Sequence, residues 1–330
     1  MGKLSFTILA ATISSLIWLG GENACYGYTI HPKADTLPPK KDSIVKKGFA
    51  DIDISMSQKK DIANPTSCTD CHGALTEKKI KHTTATDKGC EDCHKTKDIP
   101  MAHQKGTIVL QNTLPNLCLS CHDKTKAIIS ASTNVHAPLN DTKSCSNCHS
   151  PHSSDEKNLL LSVKRALCLS CHSKSITVQK RTIANIGQLE KNAKSTHPPF
   201  KKCSSTCHNP HATSSDKLLS TFFTSNTYAV ANPDSFALCW ACHDAELMTA
   251  AKSSTATSFR NGDTNLHYVH VHGEKGRSCV LCHSPHAASN PSLIRESVGF
   301  GNWTFRMNFK SNDNGGSCAP GCHKEKTYTR

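Results

Sequence analysis

The sequence has few of the residues that usually build a protein core. Aromatic residues make up 5% of the 330 residues and hydrophobic residues 36%. With glycine included and tyrosine left out, the apolar share is about 40%, below the roughly 45–50% of ordinary globular domains. A conventional core of packed side chains is therefore excluded as the main source of order. The 19 cysteines argue equally against a disordered or ordinary cytosolic chain.

Long hydrophobic runs are absent after the first twenty residues, so no later segment could cross a bilayer as a helix. Residues 1–27 carry Lys3 and then an apolar run from Leu4 to Gly20, which is the layout of a secretory signal peptide, and we predict cleavage after Gly27. The alternative is an uncleaved membrane anchor. Cys25 is either a lipid-modified N-terminus or part of the discarded segment. We expect export to the periplasm or the outer cell surface.

The other eighteen cysteines form nine pairs, and a histidine directly follows the second cysteine of every pair. Seven pairs have the spacing C-x-x-C-H: Cys68-Cys71-His72, Cys90-Cys93-His94, Cys118-Cys121-His122, Cys145-Cys148-His149, Cys168-Cys171-His172, Cys239-Cys242-His243 and Cys279-Cys282-His283. Two pairs have one extra residue: Cys203-Cys207-His208 and Cys318-Cys322-His323. Chance would place only roughly 0.07 C-x-x-C-H motifs in such a chain, so the pattern is specific.

The spacing suits covalent attachment of haem. Two thiols about one helical turn apart can form thioethers with the two vinyl groups of one haem, and the adjacent histidine then binds the iron as the proximal ligand. A zinc site needs four ligands per metal and no histidine after each pair, a disulfide framework would lack the histidines, and a redox C-x-x-C would occur once. The two longer spacers depart from the usual pattern. We predict nine covalently attached haem c groups.

The segments between the motifs repeat. The runs that start at Cys145, Cys203 and Cys279 share the form C-H-x-P-H, and an apolar stretch precedes the second motifs at Cys118, Cys168 and Cys239. We therefore predict an extended lead segment at 28–66 and one array at 67–330. Within it, a leading haem at 67–89 precedes four haem pairs that start at residues 90, 145, 203 and 279.

Eleven histidines lie outside the motifs, and eight recur at equivalent places. One lies upstream of each pair (His82, His136, His197 and either His270 or His272), and one lies downstream of each first motif (His103, His152, His211 and His286). These would supply two distal ligands per pair. His31, His267 or the unused member of His270 and His272 would complete the ninth haem. The methionines Met56, Met101, Met248 and Met307 show no recurring position and are interpreted as packing residues.

Over residues 68–323 the sequence resembles the doubled-motif multihaem c-type cytochromes, a family that includes periplasmic and surface electron carriers. The resemblance implies mainly coil with short α-helices, little or no β-sheet, and a core formed by stacked haems with histidine on both faces. Similar arrays serve as conduits through outer-membrane porins and as subunits of extracellular filaments. The longer spacers and the odd number of motifs distinguish this chain from a decahaem conduit.

The expected function is electron transfer rather than catalysis, because histidine on both faces leaves iron no open position. The alternative is a multihaem reductase of a small oxyanion with one open haem. Haem propionates and ferric irons would bring the formal charge of +13 to about +4, which gives no reason to expect nucleic acid as a partner. The partners expected are other redox proteins, an outer-membrane porin, or copies of the chain in a filament. No small-molecule substrate is indicated.

Overall fold

A computed structural model describes residues 66–86, 88–96, 107–178, 181–204, 206–224 and 226–330. The predicted signal peptide with Cys25, nearly all of the lead segment, His31, His103, Met56 and Met101 lie outside these residues. The chain divides into two compact units. The first comprises residues 1–77 and 86–109, and the second comprises residues 78–85 and 110–330.

The helices are short, and most of them carry the haem-attachment motifs. They are α1 (Cys68–His72), α2 (Cys90–Cys93), α3 (Asn116–Leu119), α4 (Asp123–Ala131), α5 (Lys164–His172), α6 (Ile186–Lys191), α7 (Ala237–Trp240), α8 (Glu246–Thr249), α9 (Leu266–Val271) and α10 (Cys279–Cys282). One helical turn brings cysteines three residues apart onto one face, as two attachments to one haem require. Helices of this length are not stable in isolation, so tertiary contacts must hold them.

Short strands are more numerous than the sequence predicts. They are β1 (Ile80–Lys81), β2 (His94–Thr96), β3 (Ile108–Leu110), β4 (Asn134–Val135), β5 (Ser153–Ser154), β6 (Ile176–Val178), β7 (Arg181–Ile183), β8 (Ser195–Thr196), β9 (Ala212–Thr213), β10 (Arg260–Asn261), β11 (Thr264–Asn265), β12 (Ala287–Ala288), β13 (Ser297–Phe300), β14 (Trp303–Arg306), β15 (Lys310–Asn312), β16 (Gly315–Cys318) and β17 (Lys326–Thr329). Segments of two residues are too short for an alternating pattern, so the sequence carries no readable sign of them.

Three two-stranded antiparallel pairs connect successive repeats within the second unit. They are β1 with β5, β4 with β9, and β8 with β12. In each pair, the first strand precedes an upstream histidine, and its partner follows the downstream histidine of the next repeat. The pairs are tightly packed, since Ser153, Ala212 and Ala287 are buried. Each repeat is thus fixed to the next by backbone hydrogen bonds.

The C-terminal region contains the largest sheets among the described residues. Strands β13 and β14 form an antiparallel hairpin whose turn includes Gly301 at a φ of 58°. Strands β15, β16 and β17 form a three-stranded antiparallel sheet in which Cys318, the first cysteine of the last motif, lies opposite Lys326. The last motif therefore starts from a strand and not from a helix.

Side-chain packing provides only a small core in the described residues. Ala229, Phe236 and Met248 form a buried cluster, and the indole of Trp240 packs edge-on against Phe236 with ring centroids 6.3 Å apart. Met307 is also buried. Both methionines occupy packing positions, as the sequence predicts.

Candidate haem-binding sites

Seven pairs of histidine rings face each other within the second unit. Their ring centroids lie 6.1–6.4 Å apart in the pairs His82 and His122, His136 and His172, His149 and His211, His197 and His243, His208 and His286, His267 and His283, and His270 and His323. Each pair joins one motif histidine to one histidine outside the motifs. The two ring planes differ by 14–22° in five pairs and by 46–49° in the other two.

This spacing fits one iron atom between two imidazoles. A metal lies about 2 Å from a ligating imidazole nitrogen, and bonds of about 1.35 Å place that nitrogen about 1.15 Å from the centre of the ring. Two imidazoles on one iron should therefore have centroids about 6.3 Å apart. Other aromatic contacts in the described chain range from 4.2 to 6.4 Å, so the narrow histidine range is not a general feature of ring packing. The residues present fit bis-histidine haem.

The proximal histidines of three first motifs have their Nδ1 atoms bound to the backbone. His149 Nδ1–H donates to the carbonyl of Asn158 at 2.7 Å, and His208 Nδ1–H donates to that of Lys217 at 3.0 Å. His283 makes the same bond to Ser292 at 2.9 Å. A carbonyl can only accept, so Nδ1 carries the proton and Nε2 keeps its lone pair for the metal.

The proline of C-H-x-P-H has a defined contact in two repeats. The carbonyl of Pro210 accepts from His136 Nδ1–H at 2.9 Å, and the carbonyl of Pro285 accepts from His197 Nδ1–H at 3.1 Å. The upstream histidines are thus oriented by the first motif of the following repeat. Their rings are held with Nε2 available, as in the proximal histidines.

The upstream and downstream histidines serve different repeats. His136 and His197 face the second motif of their own pair. His211, however, faces His149 of the preceding pair, and His286 likewise faces the preceding His208. The sequence predicts that each haem pair takes its distal ligands from its own upstream and downstream histidines. That prediction is wrong for His211 and His286. The strand pairs that join successive repeats place each of these downstream histidines beside the previous repeat.

The structure distinguishes the three histidines upstream of the last pair, of which the sequence offered His270 or His272 for that pair and His267 for the ninth haem. His267 and His270 lie three residues apart on α9 and face His283 and His323, respectively. His272 follows the helix, is exposed, and stacks on Tyr268 with centroids 4.2 Å apart. Of the alternatives that the sequence left open, His270 is brought to a motif and His272 is not.

Asn265 begins α9 and fixes the positions of its two histidines. Its side-chain oxygen accepts from the backbone N–H of His267 at 2.9 Å and of Tyr268 at 3.2 Å. Its amide donates to three carbonyls, including that of Ala250 at 2.8 Å, and the residue is fully buried. Asn265 is not among the residues predicted from the sequence, although an asparagine before a helix is a recognised N-cap.

Burial favours the neutral form of several facing histidines. Desolvation lowers the pKa of His267 and of His286 to about 4, with nearby histidines as a smaller cause. Desolvation also lowers the pKa values of His136, His211 and His283. Because an imidazole must be deprotonated at the ligating nitrogen to bind a metal, this environment favours ligation.

The thiols of successive motifs lie close together. The Cys168 and Cys203 side chains contact each other, as do those of Cys239 and Cys279. Both cysteines of every motif from Cys145 onward are thiols outside any disulfide. Cys148 also lies near Cys171, Cys207 near Cys239, and Cys282 near Cys318. The last six motifs therefore follow one another in space in the order of the chain.

The two motifs with longer spacers bring their histidines into the same arrangement as the others. His208 faces His286 at 6.1 Å, and His323 faces His270 at 6.4 Å. Cys203 has a φ of 48°, close to the φ of 44° at Ser144, which stands four residues before the second cysteine of the preceding repeat. The extra residue thus moves the first cysteine to the position that Ser144 occupies in a standard motif.

The first unit holds the two leading motifs. His72 ends α1 and His94 begins β2. Cys68 is a free thiol, whereas Cys71 is in a disulfide, so this predicted tether is not free in the structure. In the second unit, the carbonyl of His152 accepts from the backbone N–H of His82 at 2.8 Å.

Comparison with known proteins supports the chemistry of the motifs. The family model described as "doubled CXXCH motif" matches residues 82–127, 136–177 and 197–248. The multihaem cytochrome MtrA of Shewanella baltica (strain OS185) is 28% identical over 168 residues, which are 47% of this chain and 41% of the relative. The chain thus spans about two fifths of the length of this curated relative. These matches support its assignment to the multihaem c-type cytochromes with doubled CXXCH motifs.

Proposed function

We propose that this chain is an exported cytochrome that carries electrons along nine covalently attached, bis-histidine haems. The main support for this proposal is the set of seven facing histidine pairs, whose ring centroids lie 6.1–6.4 Å apart. Bound haems supply the one-electron chemistry. The facing histidines would hold each haem in a fixed orientation, and the neighbouring thiols would keep successive haems close.

Successive motifs lie next to each other, which favours electron transport along the haems over electron storage at separate haems. Cys168 touches Cys203, and Cys239 touches Cys279, although each pair belongs to two different motifs. Haems attached through neighbouring thiols must themselves be neighbours. An electron entering at one end of the second unit can then pass along the chain in short steps.

An electron carrier fits the described sites better than a reductase does. A reductase needs an iron with an open axial position, whereas each of the seven described sites offers imidazoles on both sides. A test is the addition of carbon monoxide to the fully reduced protein. We expect no carbon monoxide complex. Binding of one equivalent per chain would favour the reductase.

The number of haems requires a separate measurement. We expect the intact mature chain to have the mass of the polypeptide plus nine haems, and the pyridine haemochrome to give nine haems per chain. A double variant, Cys203→Ala with Cys207→Ala, should lose one haem and is the control for the longer spacer. A native mass with seven haems would mean that the two longer motifs carry none.

We propose the periplasm or the outer cell surface as the location, with other redox proteins as partners. No helix within the described residues is long and apolar enough to span a membrane. An outer-membrane porin or further copies of the chain are the more specific partners. Electron microscopy of the native purified protein separates the cases, because it would reveal a porin complex, a filament or single particles.

A further inference from the structure

We propose that three left-handed turns position proximal histidines and lower the reduction potentials of their haems. These clamp turns are residues 158–159, 217–218 and 292–293 of the second unit. The inference rests on the proposed function, since it requires haem at the motifs of His149, His208 and His283. It adds a role for residues outside every motif.

The backbone of each clamp turn is in a conformation that its residues rarely adopt. Asn158, Lys217 and Ser292 have φ values of 60°, 56° and 53°. The leucine that follows each of them has a φ of 56°, 55° and 58°, respectively. None of the six is glycine, so each is disfavoured by contact between its Cβ and the backbone. Such conformations persist where surrounding structure imposes them, often at functional sites.

The left-handed conformation turns one carbonyl towards a histidine ring. The first residue of each turn accepts the Nδ1–H of the proximal histidine nine positions earlier, at 2.7, 3.0 and 2.9 Å. The leucine carbonyl accepts from the residue after that histidine, as from Ser150 to Leu159 at 2.7 Å. The same two bonds recur in all three repeats, at 2.8 Å for the leucine carbonyl in the other two. Because the same two hydrogen bonds recur in three different local sequences, we interpret the three clamp turns as one structural feature.

The carbonyl contact should strengthen the bond from imidazole to iron. A hydrogen bond from Nδ1–H to a carbonyl increases the electron density of the ring, and a more basic ligand stabilises ferric over ferrous iron. Two proximal histidines of second motifs differ, because no hydrogen bond among the described residues joins Nδ1 of His172 or His243 to a carbonyl, whereas His323 Nδ1–H donates to the Lys324 carbonyl at 2.6 Å. At the haems of His172 and His243 the distal histidine carries the bond, to Pro210 or Pro285.

Asn158 allows a clean test because its side chain is exposed. In the mature haem-loaded protein, Asn158→Gly should adopt the left-handed conformation without strain, whereas Asn158→Val should resist it. Neither change removes a core contact. NMR of the oxidised protein would report the solvent exchange of the His149 Nδ1 proton, and a redox titration would report the potential of its haem.

We expect Asn158→Val to increase the exchange rate of that proton by about tenfold and to raise the potential of one haem, with Asn158→Gly unchanged. Equal exchange rates and potentials in both variants, at full haem content, would overturn the proposal. If the valine variant does not incorporate haem, the test is made on the native protein. The Nδ1 protons of His149, His208 and His283 should exchange more slowly than those of His172 and His243, and equal rates would refute the clamp. Failure of the proposed function would instead appear as missing or high-spin haem.

Discussion

Replacing His270 by alanine should open one axial position at the haem of the last motif. The His270 ring lies 6.4 Å from the His323 ring and occupies the side opposite the proximal ligand. Its Nδ1–H donates to the Leu266 carbonyl at 2.6 Å, one helical turn earlier. Alanine is compatible with α9, so the helix should persist and only the imidazole should be lost.

The expected magnitude is one haem in nine. About one ninth of the ferric haem should become high-spin, and the reduced variant should bind about one carbon monoxide per chain. Added imidazole should restore the low-spin spectrum, because the space left by the side chain has the size of the missing ring. Optical titration with carbon monoxide provides the measurement.

His272→Ala is the matched control, since it removes a histidine two residues away on the same segment. That ring is exposed and stacks on Tyr268, so its loss should leave all haems low-spin and cost at most about 1 kcal/mol. Carbon monoxide binding by His272→Ala and not by His270→Ala would refute the assignment of the distal ligand.

Three further changes, the last with its own control, test the C-terminal part of the chain. His267→Ala should also admit about one carbon monoxide per chain, and a spectrum identical to that of the native protein would contradict its place opposite His283. Asn265→Ala should lower the free energy of unfolding by about 2–4 kcal/mol in denaturant titrations, because it removes a buried helix cap and leaves carbonyls unsatisfied. A smaller decrease in unfolding free energy than a surface substitution causes would count against the role of Asn265 as a cap. Gly321→Ala should destabilise by about 1–3 kcal/mol, since its Cβ would lie 2.5 Å from the Phe305 ring at a φ of 78°. Gly301→Ala, at a φ of 58° with no atom within 4 Å, should cost less, and equal costs would show that the ring contact is unimportant.

The chemistry of the site could be predicted from the sequence because it depends on short local patterns. The proximal histidines are fixed by one-residue spacing to a cysteine. His136 and His197 recur at a constant place before their motifs, and the structure brings them to the second motif of the same pair.

The assignment of downstream histidines could not be predicted, because it depends on pairing between repeats. His211 lies three residues after His208 in sequence, yet it faces His149 across the β4–β9 pair. Two-residue strands leave no periodic pattern. The choice between His270 and His272 was accessible in principle, since the Asn265 N-cap sets the phase of α9 and places His267 and His270 on one face.

The clamp turns also lie beyond sequence analysis. Left-handed residues are usually recognised by glycine, and Lys217 and Leu218 give no such sign. Their conformation follows from hydrogen bonds to a histidine nine residues away, and those bonds exist only in the folded repeat.

The most direct test of bis-histidine electron transport is the near-infrared magnetic circular dichroism of the fully oxidised mature protein, calibrated per haem. The seven facing histidine pairs predict at least seven haems per chain with the charge-transfer band of bis-imidazole low-spin iron. Fewer than seven bis-imidazole low-spin haems per chain, with high-spin or methionine-ligated haems in their place, would contradict this arrangement.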